Sequence, residues 1–196
     1  LVYLRHMLTQ EEIDLGYWIS TVDWSGAEGV IMAALANEQK LYNLAADKII
    51  DGKKVEGDLH SPIATKCWRA VYTYRKAKLI AKYTPVTPKD IKLTDEYLFD
   101  AIPHQEKEIW FTIQDSKGKK YILTENLEIE KEISPKVDHP NKQLRTDFKS
   151  MTFGIVYQLQ AKKGGETLNI PKDDAQVIID VVKAEFPLVF KMIDQK

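Results

Sequence analysis

Between Pro62 and Pro85 the chain runs without a single glycine or proline, and that uninterrupted stretch constrains the fold more than any other feature. Ser61 and Pro62 form an N-cap and first-turn pair, so the sequence predicts one basic, aromatic helix from there to about Tyr83, stopped by Thr84 and Pro85. Upstream, apolar residues recur at three- and four-residue spacing from Ala27 to about Ile50 (Val30, Ala34, Leu41, Leu44), with a break at Asn37 and an end at Gly52. Earlier still, Thr9-Gln10-Glu11-Glu12 has a capping-box pattern, and Tyr17 to Val22 reads as a strand running into the polar break Asp23-Trp24-Ser25-Gly26.

Beyond Pro85 the character changes. Asp95 to Ala101 is expected to form a short helix. Ile109 to Ile113 and Tyr121 to Thr124 flank Asp115-Ser116-Lys117-Gly118 and predict a β-hairpin within an apparent insertion. Helical spacing resumes from Gln143 to about Lys163, with Gly164-Gly165 as a break. A last helix is expected from near Pro171, bent or split at Pro187.

The 196 residues are 44% hydrophobic, enough for one compact core. A formal net charge of -1, from 28 Lys and Arg against 29 Asp and Glu, leaves no overall basic footprint, so any nucleic-acid contact must be local. Cys67 is the single cysteine, which excludes an internal disulfide; a buried thiol and a reducing cytoplasm are expected. No apolar run of about 18 residues predicts a membrane span, and no signal peptide is visible.

Three elements carry chemistry. Arg145, Lys149, Phe153 and Tyr157 fall at intervals of four on a predicted helix and form one stripe, cationic at one end and aromatic at the other. Such a stripe suits a nucleoside triphosphate, with cations on the polyphosphate and a ring against the base or sugar. The same spacing also describes a helix with a solvated polar end and a core-facing Phe and Tyr. Asp23, at the end of a strand running into a helix, is in a place where a carboxylate reaches a divalent metal, although it also suits a turn or cap. Asp58-Leu59-His60 stands before the long helix, where a histidine can touch an anion. His6, His104 and His139 sit in no ligand-spaced cluster, which argues against zinc.

Taken together and in this order, the three elements resemble the family A DNA polymerases. Asp23-Trp24-Ser25-Gly26-Ala27-Glu28 is similar to motif A, Asp58-Leu59-His60 to the acid-apolar-His element before the fingers helix, and Arg145 to Tyr157, ending Phe153-Gly154-Ile155-Val156-Tyr157, to motif B. The likeness continues through Leu168-Asn169-Ile170-Pro171 to Phe186-Pro187, covering roughly residues 17 to 75 and 143 to 195. It implies an α+β, mainly helical fold: fingers with part of a palm, plus an inserted hairpin-containing segment. The implied division is 1–75 for the motif A strand and first fingers helices, 76–142 for the insertion, and 143–196 for the motif B helix and the helix after it.

The resemblance implies that Asp23 binds both Mg2+ ions of a two-metal site and that Glu28 is a steric gate against ribonucleotides. Arg145, Lys149 and His60 would contact the phosphates of a deoxynucleoside triphosphate, Lys149 also assisting the leaving pyrophosphate. Phe153 would pack by the nucleotide, and Tyr157 with Gln158 would meet template-primer DNA. Departures from the family pattern are Gly26 for Gln, Val30 for Arg and Gln158 for Gly. The three lysines Lys117, Lys119 and Lys120 at the expected hairpin tip suggest either a DNA-backbone contact or a solvated turn.

Motif C is not found up to Lys196, so the chain alone is expected to be inactive, as a fragment of a polymerase or as one half of a split enzyme with a complementary subunit. Its divergent motif A and insertion point to a phage, and hence to the host cytoplasm. The alternatives are a single-subunit RNA polymerase and a polymerase remnant that only binds nucleic acid.

Overall fold

The computed structural model describes residues 27–83, 100–130 and 141–195. The fold is α+β and mainly helical. Its elements are α1 (Ala27–Ala36), α2 (Gln39–Ala45), β1 (Lys48–Ile50), β2 (Lys53–Val55), α3 (His60–Tyr83), α4 (His104–Phe111), β3 (Thr112–Gln114), β4 (Lys120–Ile122), α5 (Lys142–Val156), α6 (Ala161–Leu168), α7 (Lys172–Glu185) and α8 (Pro187–Asp194). Each pair of strands forms a small antiparallel hairpin, β1 with β2 and β3 with β4. Among the described residues no helix is long and apolar enough to cross a membrane.

The long helix expected from the proline-bounded stretch is α3, and the core is built around it. Ile63, Ala64, Cys67, Trp68, Val71, Leu79 and Ile80 are buried; their three- and four-residue spacing lays one apolar face along the helix. Against it pack α7, through a set that includes Ala175, Ile178 and Val182, and α5, whose Leu144, Phe148, Met151 and Ile155 are likewise buried. Each large side chain fully withdrawn from water, such as Trp68 or Phe148, contributes roughly 1.5–3 kcal/mol. Burial pushes the Cys67 thiol up, so it stays protonated as the expected inert buried thiol.

Segment 100–130 shares this core. Phe111, Ile113, Leu123 and Ile129 are buried in it, the Tyr72 and Phe111 rings lie 5.0 Å apart, and Ile129 N–H donates to the Thr65 hydroxyl at 2.9 Å. Helix α3 runs continuously across the division expected after residue 75.

One buried ion pair ties the layers together. Arg75 on α3 and Asp174 on α7 are both buried, with Arg75 Nε donating to Asp174 Oδ2 at 2.8 Å. Arg75 Nη1 also donates to the carbonyls of Trp110 at 2.8 Å and Thr112 at 3.2 Å, where α4 passes into β3. A second tie is Glu185, buried near the end of α7, which pairs with Lys40 of α2 and Lys66 of α3. Burial opposes its ionisation, but the two lysines outweigh that and hold the carboxyl below its ordinary value. Glu38, buried between α1 and α2, accepts the Leu188 backbone N–H at 3.0 Å and so caps α8 from another part of the chain.

Several expectations are corrected. The helical spacing read as far as Ile50 ends at Ala45, and Lys48–Ile50 is a strand paired with Lys53–Val55. The reason is Asp51-Gly52: both residues have positive φ (51° and 74°), the signature of a type I′ hairpin turn. Asn37 is the expected break, with φ 54°. The cap of α3 is Asp58 rather than Ser61, since its carboxylate accepts the Ser61 N–H at 3.2 Å. The β3–β4 hairpin is present, but the first half of its expected first strand belongs to α4.

Gly164-Gly165 does not break a helix; it lies inside α6. A Cβ on Gly164 would lie 2.6 Å from Met151 Cε, and one on Gly165 would lie 2.7 Å from the Ile170 carbonyl oxygen, so this pair permits close approach. The break falls earlier. Gln158 takes φ 63°, Gln158 N–H donates to Ile155 O at 3.0 Å and Leu159 N–H to Gly154 O at 2.8 Å, a Schellman motif. The split at Pro187 is as expected. The expected helix at 9–12 and strand at 17–22 lie outside the described residues, as does nearly all of the helix expected at 95–101.

Arg75→Met strands the Asp174 carboxylate in the core and is expected to cost about 3–5 kcal/mol in urea unfolding. Arg75→Met combined with Asp174→Leu should recover most of that loss. A single variant within about 1 kcal/mol of the parent would show that the pair is not the tie described.

Candidate functional site

The N-terminus of α3 and one face of α5 converge on a cleft. Asp58 and His60 come from the start of α3; Arg145, Lys149 and Phe153, four residues apart, come from α5; Gly29 of α1, Ala45 and Glu56-Gly57 close the remaining wall. Two close approaches shape that wall. A Cβ on Gly29 would lie 3.0 Å from the Ala45 Cβ, and one on Gly57 only 2.1 Å from the Ala45 carbonyl oxygen, so any side chain at Gly57 would force the backbone apart. The base of the β1–β2 hairpin is fixed by Asp47, which accepts the Gly57 N–H at 2.9 Å and pairs with Lys54 at 2.8 Å.

The cleft has a volume of about 240 Å³. Typical small-molecule sites have about 300–1,000 Å³, so it suits part of a nucleotide, such as a polyphosphate, rather than the whole. Larger clefts lie elsewhere, among them one of about 480 Å³ beside Thr65, Arg69 and Glu128, which holds none of the residues expected to contact phosphate. Another, of about 610 Å³, runs between the end of α5, α7 and α8 and includes Gln158; a third, about 430 Å³, lies between α3, the β3–β4 hairpin and the start of α7. Neither of these gathers the residues expected to contact phosphate.

Within the small cleft, the His60 and Phe153 rings meet edge to face with centroids 5.4 Å apart, and the Lys149 ammonium lies 6.0 Å from the Phe153 ring centre. Lys149 is exposed. Arg145 is engaged: Nε donates to Ser61 Oγ at 2.8 Å and Nη2 to Asp58 Oδ1 at 2.8 Å. Burial works against ionisation of Asp58, but hydrogen bonds from Ser61 and Arg145 prevail and hold its carboxyl below the ordinary value. For His60, burial first and then the nearby Arg145 and Lys149 charges push the pKa down to about 4, against a smaller upward pull from Asp58. His60 is therefore neutral near pH 7; its ring meets Phe153, and its buried Nδ1 has no hydrogen-bond partner.

Of the residues singled out by sequence, His60, Arg145, Lys149 and Phe153 are brought together. Glu28 is exposed in the first turn of α1, next to Gly29 of the cleft wall. Tyr157 is 79% exposed where α5 ends and does not line the cleft. Asp23 lies outside the described residues. The resemblance places the magnesium ions on it; among the described residues no group of three or more His, Cys, Asp or Glu could hold a metal. Asp58 is bound to a guanidinium and a helix N–H, an environment unlike that of a metal ligand.

Sequence reasoning missed the partners of Arg145. Asp58 and Ser61 were visible only as a motif acid and a cap, and nothing local in the chain joins either to residue 145. Also missed was the clamp on the other flank of α5, where Asp147 accepts Ser116 N–H at 3.0 Å, Ser116 Oγ–H at 2.8 Å and Gln143 Nε2–H at 2.7 Å. It holds the tip of the β3–β4 hairpin, on which Lys117, Lys119 and Lys120 are exposed.

Comparisons with protein-family models, with curated proteins and with solved structures return no match for this chain.

The depressed His60 pKa sets a pH dependence. The unfolded chain takes up the proton near pH 6.5 and the folded one only near 4, so the contribution is fully present above 6.5 and is lost as pH falls toward 4. The limiting slope is about 1.4 kcal/mol per pH unit. Urea unfolding at pH 7, 6 and 5 should show His60→Gln gaining stability relative to the parent on acidification; parallel curves would contradict this.

Proposed function

We propose that this chain forms fingers and part of a palm in a family A DNA polymerase, and that the cleft between α3 and α5 receives the polyphosphate of an incoming deoxynucleoside triphosphate. One observation carries the reading: Arg145, Lys149 and Phe153 on one helix and His60 on another line a single cleft, as the motif match requires of them. Their chemistry suits the role. Lys149 offers an exposed ammonium, a point charge suited to phosphate. His60, neutral, offers a hydrogen bond and an edge against Phe153, fixing the ring that the nucleotide would meet. Tyr157, exposed at the end of α5, offers a flat surface on which a template base can stack.

In this reading Asp23 holds the two magnesium ions, which supply a Lewis acid for the attacking and leaving oxygens, and Glu28 bars a ribose 2′-hydroxyl. Template-primer DNA is the remaining partner.

The test is primer extension by the complete protein. Lys149→Ala should lower the incorporation rate by about 10²-fold or more, the size typical for loss of one electrostatic contact to the developing charge, and Asp23→Ala should abolish incorporation. Glu28→Ala should admit ribonucleotides. Equal use of ribonucleotides by the unaltered protein would favour an RNA polymerase instead, and full extension with Asp23→Ala would leave only a nucleic-acid-binding remnant.

A further inference from the structure

Arg145 is the deepest cation of the cleft, and it is already occupied by a carboxylate. Its Nε and Nη2 donate to Ser61 and Asp58, each at 2.8 Å, while Asp58 also accepts the Ser61 N–H at 3.2 Å. The three groups close a ring of hydrogen bonds joining the N-terminus of α3 to α5. The Asp58 and Arg145 side chains are only 19% and 23% exposed, so the pair is shielded from the screening that weakens surface ion pairs. A phosphate approaching Arg145 meets a fixed anion of its own sign.

The charge balance of the lining reflects this pairing. Glu56 and Asp58 offset Arg145 and Lys149, and His60 is neutral near pH 7. A cleft built only to attract phosphate would leave its cations uncompensated. This one pairs its half-buried cation with a carboxylate and exposes the other, so a small anion gains little from charge alone. Tight binding has to come from contacts that free phosphate lacks, such as a base or sugar against Phe153 and His60. Selectivity of this kind is built by penalising the wrong ligand rather than by strengthening the right one.

We propose that Asp58 is a specificity-determining residue of the cleft: its carboxylate occupies Arg145 and thereby excludes inorganic polyphosphate while a nucleotide, with its additional contacts, is admitted. The inference rests on the nucleotide-binding reading above. It differs from a purely structural role for Asp58 as the cap of α3, which predicts that loss of the carboxylate loosens the cleft and weakens every ligand.

The experiment is calorimetric titration of the complete protein, without metal, with inorganic tripolyphosphate and separately with dATP. The unaltered protein should bind dATP at least tenfold more tightly than tripolyphosphate. Asp58→Asn, which keeps the shape and removes the charge, should bind tripolyphosphate at least tenfold more tightly than the unaltered protein and so narrow that gap. Ser61→Ala, which loosens Arg145 but keeps the carboxylate, should not.

Unchanged or weaker tripolyphosphate binding by Asp58→Asn overturns the inference, as does equal tightening by Ser61→Ala. Should Asp58→Asn fail to fold, the unaltered protein still decides: equal affinity for the two ligands overturns the inference. Absence of dATP binding overturns the nucleotide reading itself, whereas dATP binding without the tripolyphosphate effect removes Asp58 alone from the account.

Discussion

A guanidinium buried between two helices cannot be left without acceptors, and the way Arg75 meets that demand organises the molecule. Asp174 supplies the countercharge, and the Trp110 and Thr112 carbonyls accept from its remaining donors. One side chain thus joins the central helix, the helix that packs most extensively on it, and the segment between the long helix and α5. Dispersion and apolar burial supply the bulk of the stability, but they are tolerant of small slides. A charged contact at the centre, with Arg75 Nε and Nη2 both donating to Asp174 Oδ2, is less so, and it holds the register of α3 against α7. Glu185 does the same farther along α7, with Lys40 and Lys66.

Helix α5 is held differently. Its inner face is apolar and buried, but both flanks are fixed by polar contacts nearer the surface. On one side Arg145 reaches Asp58 and Ser61; on the other Asp147 grips Ser116 at the tip of the β3–β4 hairpin. Residues two apart on a helix point to nearly opposite sides, so the alternation of Arg145 and Asp147 is what allows one helix to be held from both. The Arg145 contact is part-buried and the Asp147 contact is nearer water. The stripe of Lys149 and Phe153 therefore sits on an element packed along its inner face and restrained on both flanks.

The same physics decides how much of this was legible in the sequence. The course of α3 and the split before α8 could be read because proline interrupts helices locally and none falls between Pro62 and Tyr83. The Arg145, Lys149 and Phe153 stripe could be read because helical geometry fixes which residues share a face. The β1–β2 hairpin was hidden under a helical spacing that Ile49 and Ile50 happen to continue, although Asp51-Gly52 already carried the turn signal. Gly164-Gly165 was misread because glycine marks both helix ends and close approaches, and only the Met151 side chain distinguishes them. The Arg145 partners were illegible for a different reason: Asp58 lies 87 residues away, and no local rule spans that distance.

These separations bear on how the chain acquires its shape. The Arg75–Asp174 contact spans 99 residues and the Lys66–Glu185 contact 119. Closing loops of that size precedes any reward from the contacts they form. As the polypeptide emerges from the ribosome at roughly 5–20 residues per second, α3 is complete several seconds before α7 exists to cover it. For that interval Trp68, Val71 and Leu79 have no final neighbour on the α7 side, and a charged arginine stands among them. That charge discourages premature burial of the apolar face, so the residue that later locks the fold also helps keep the nascent helix in solution until its partner arrives.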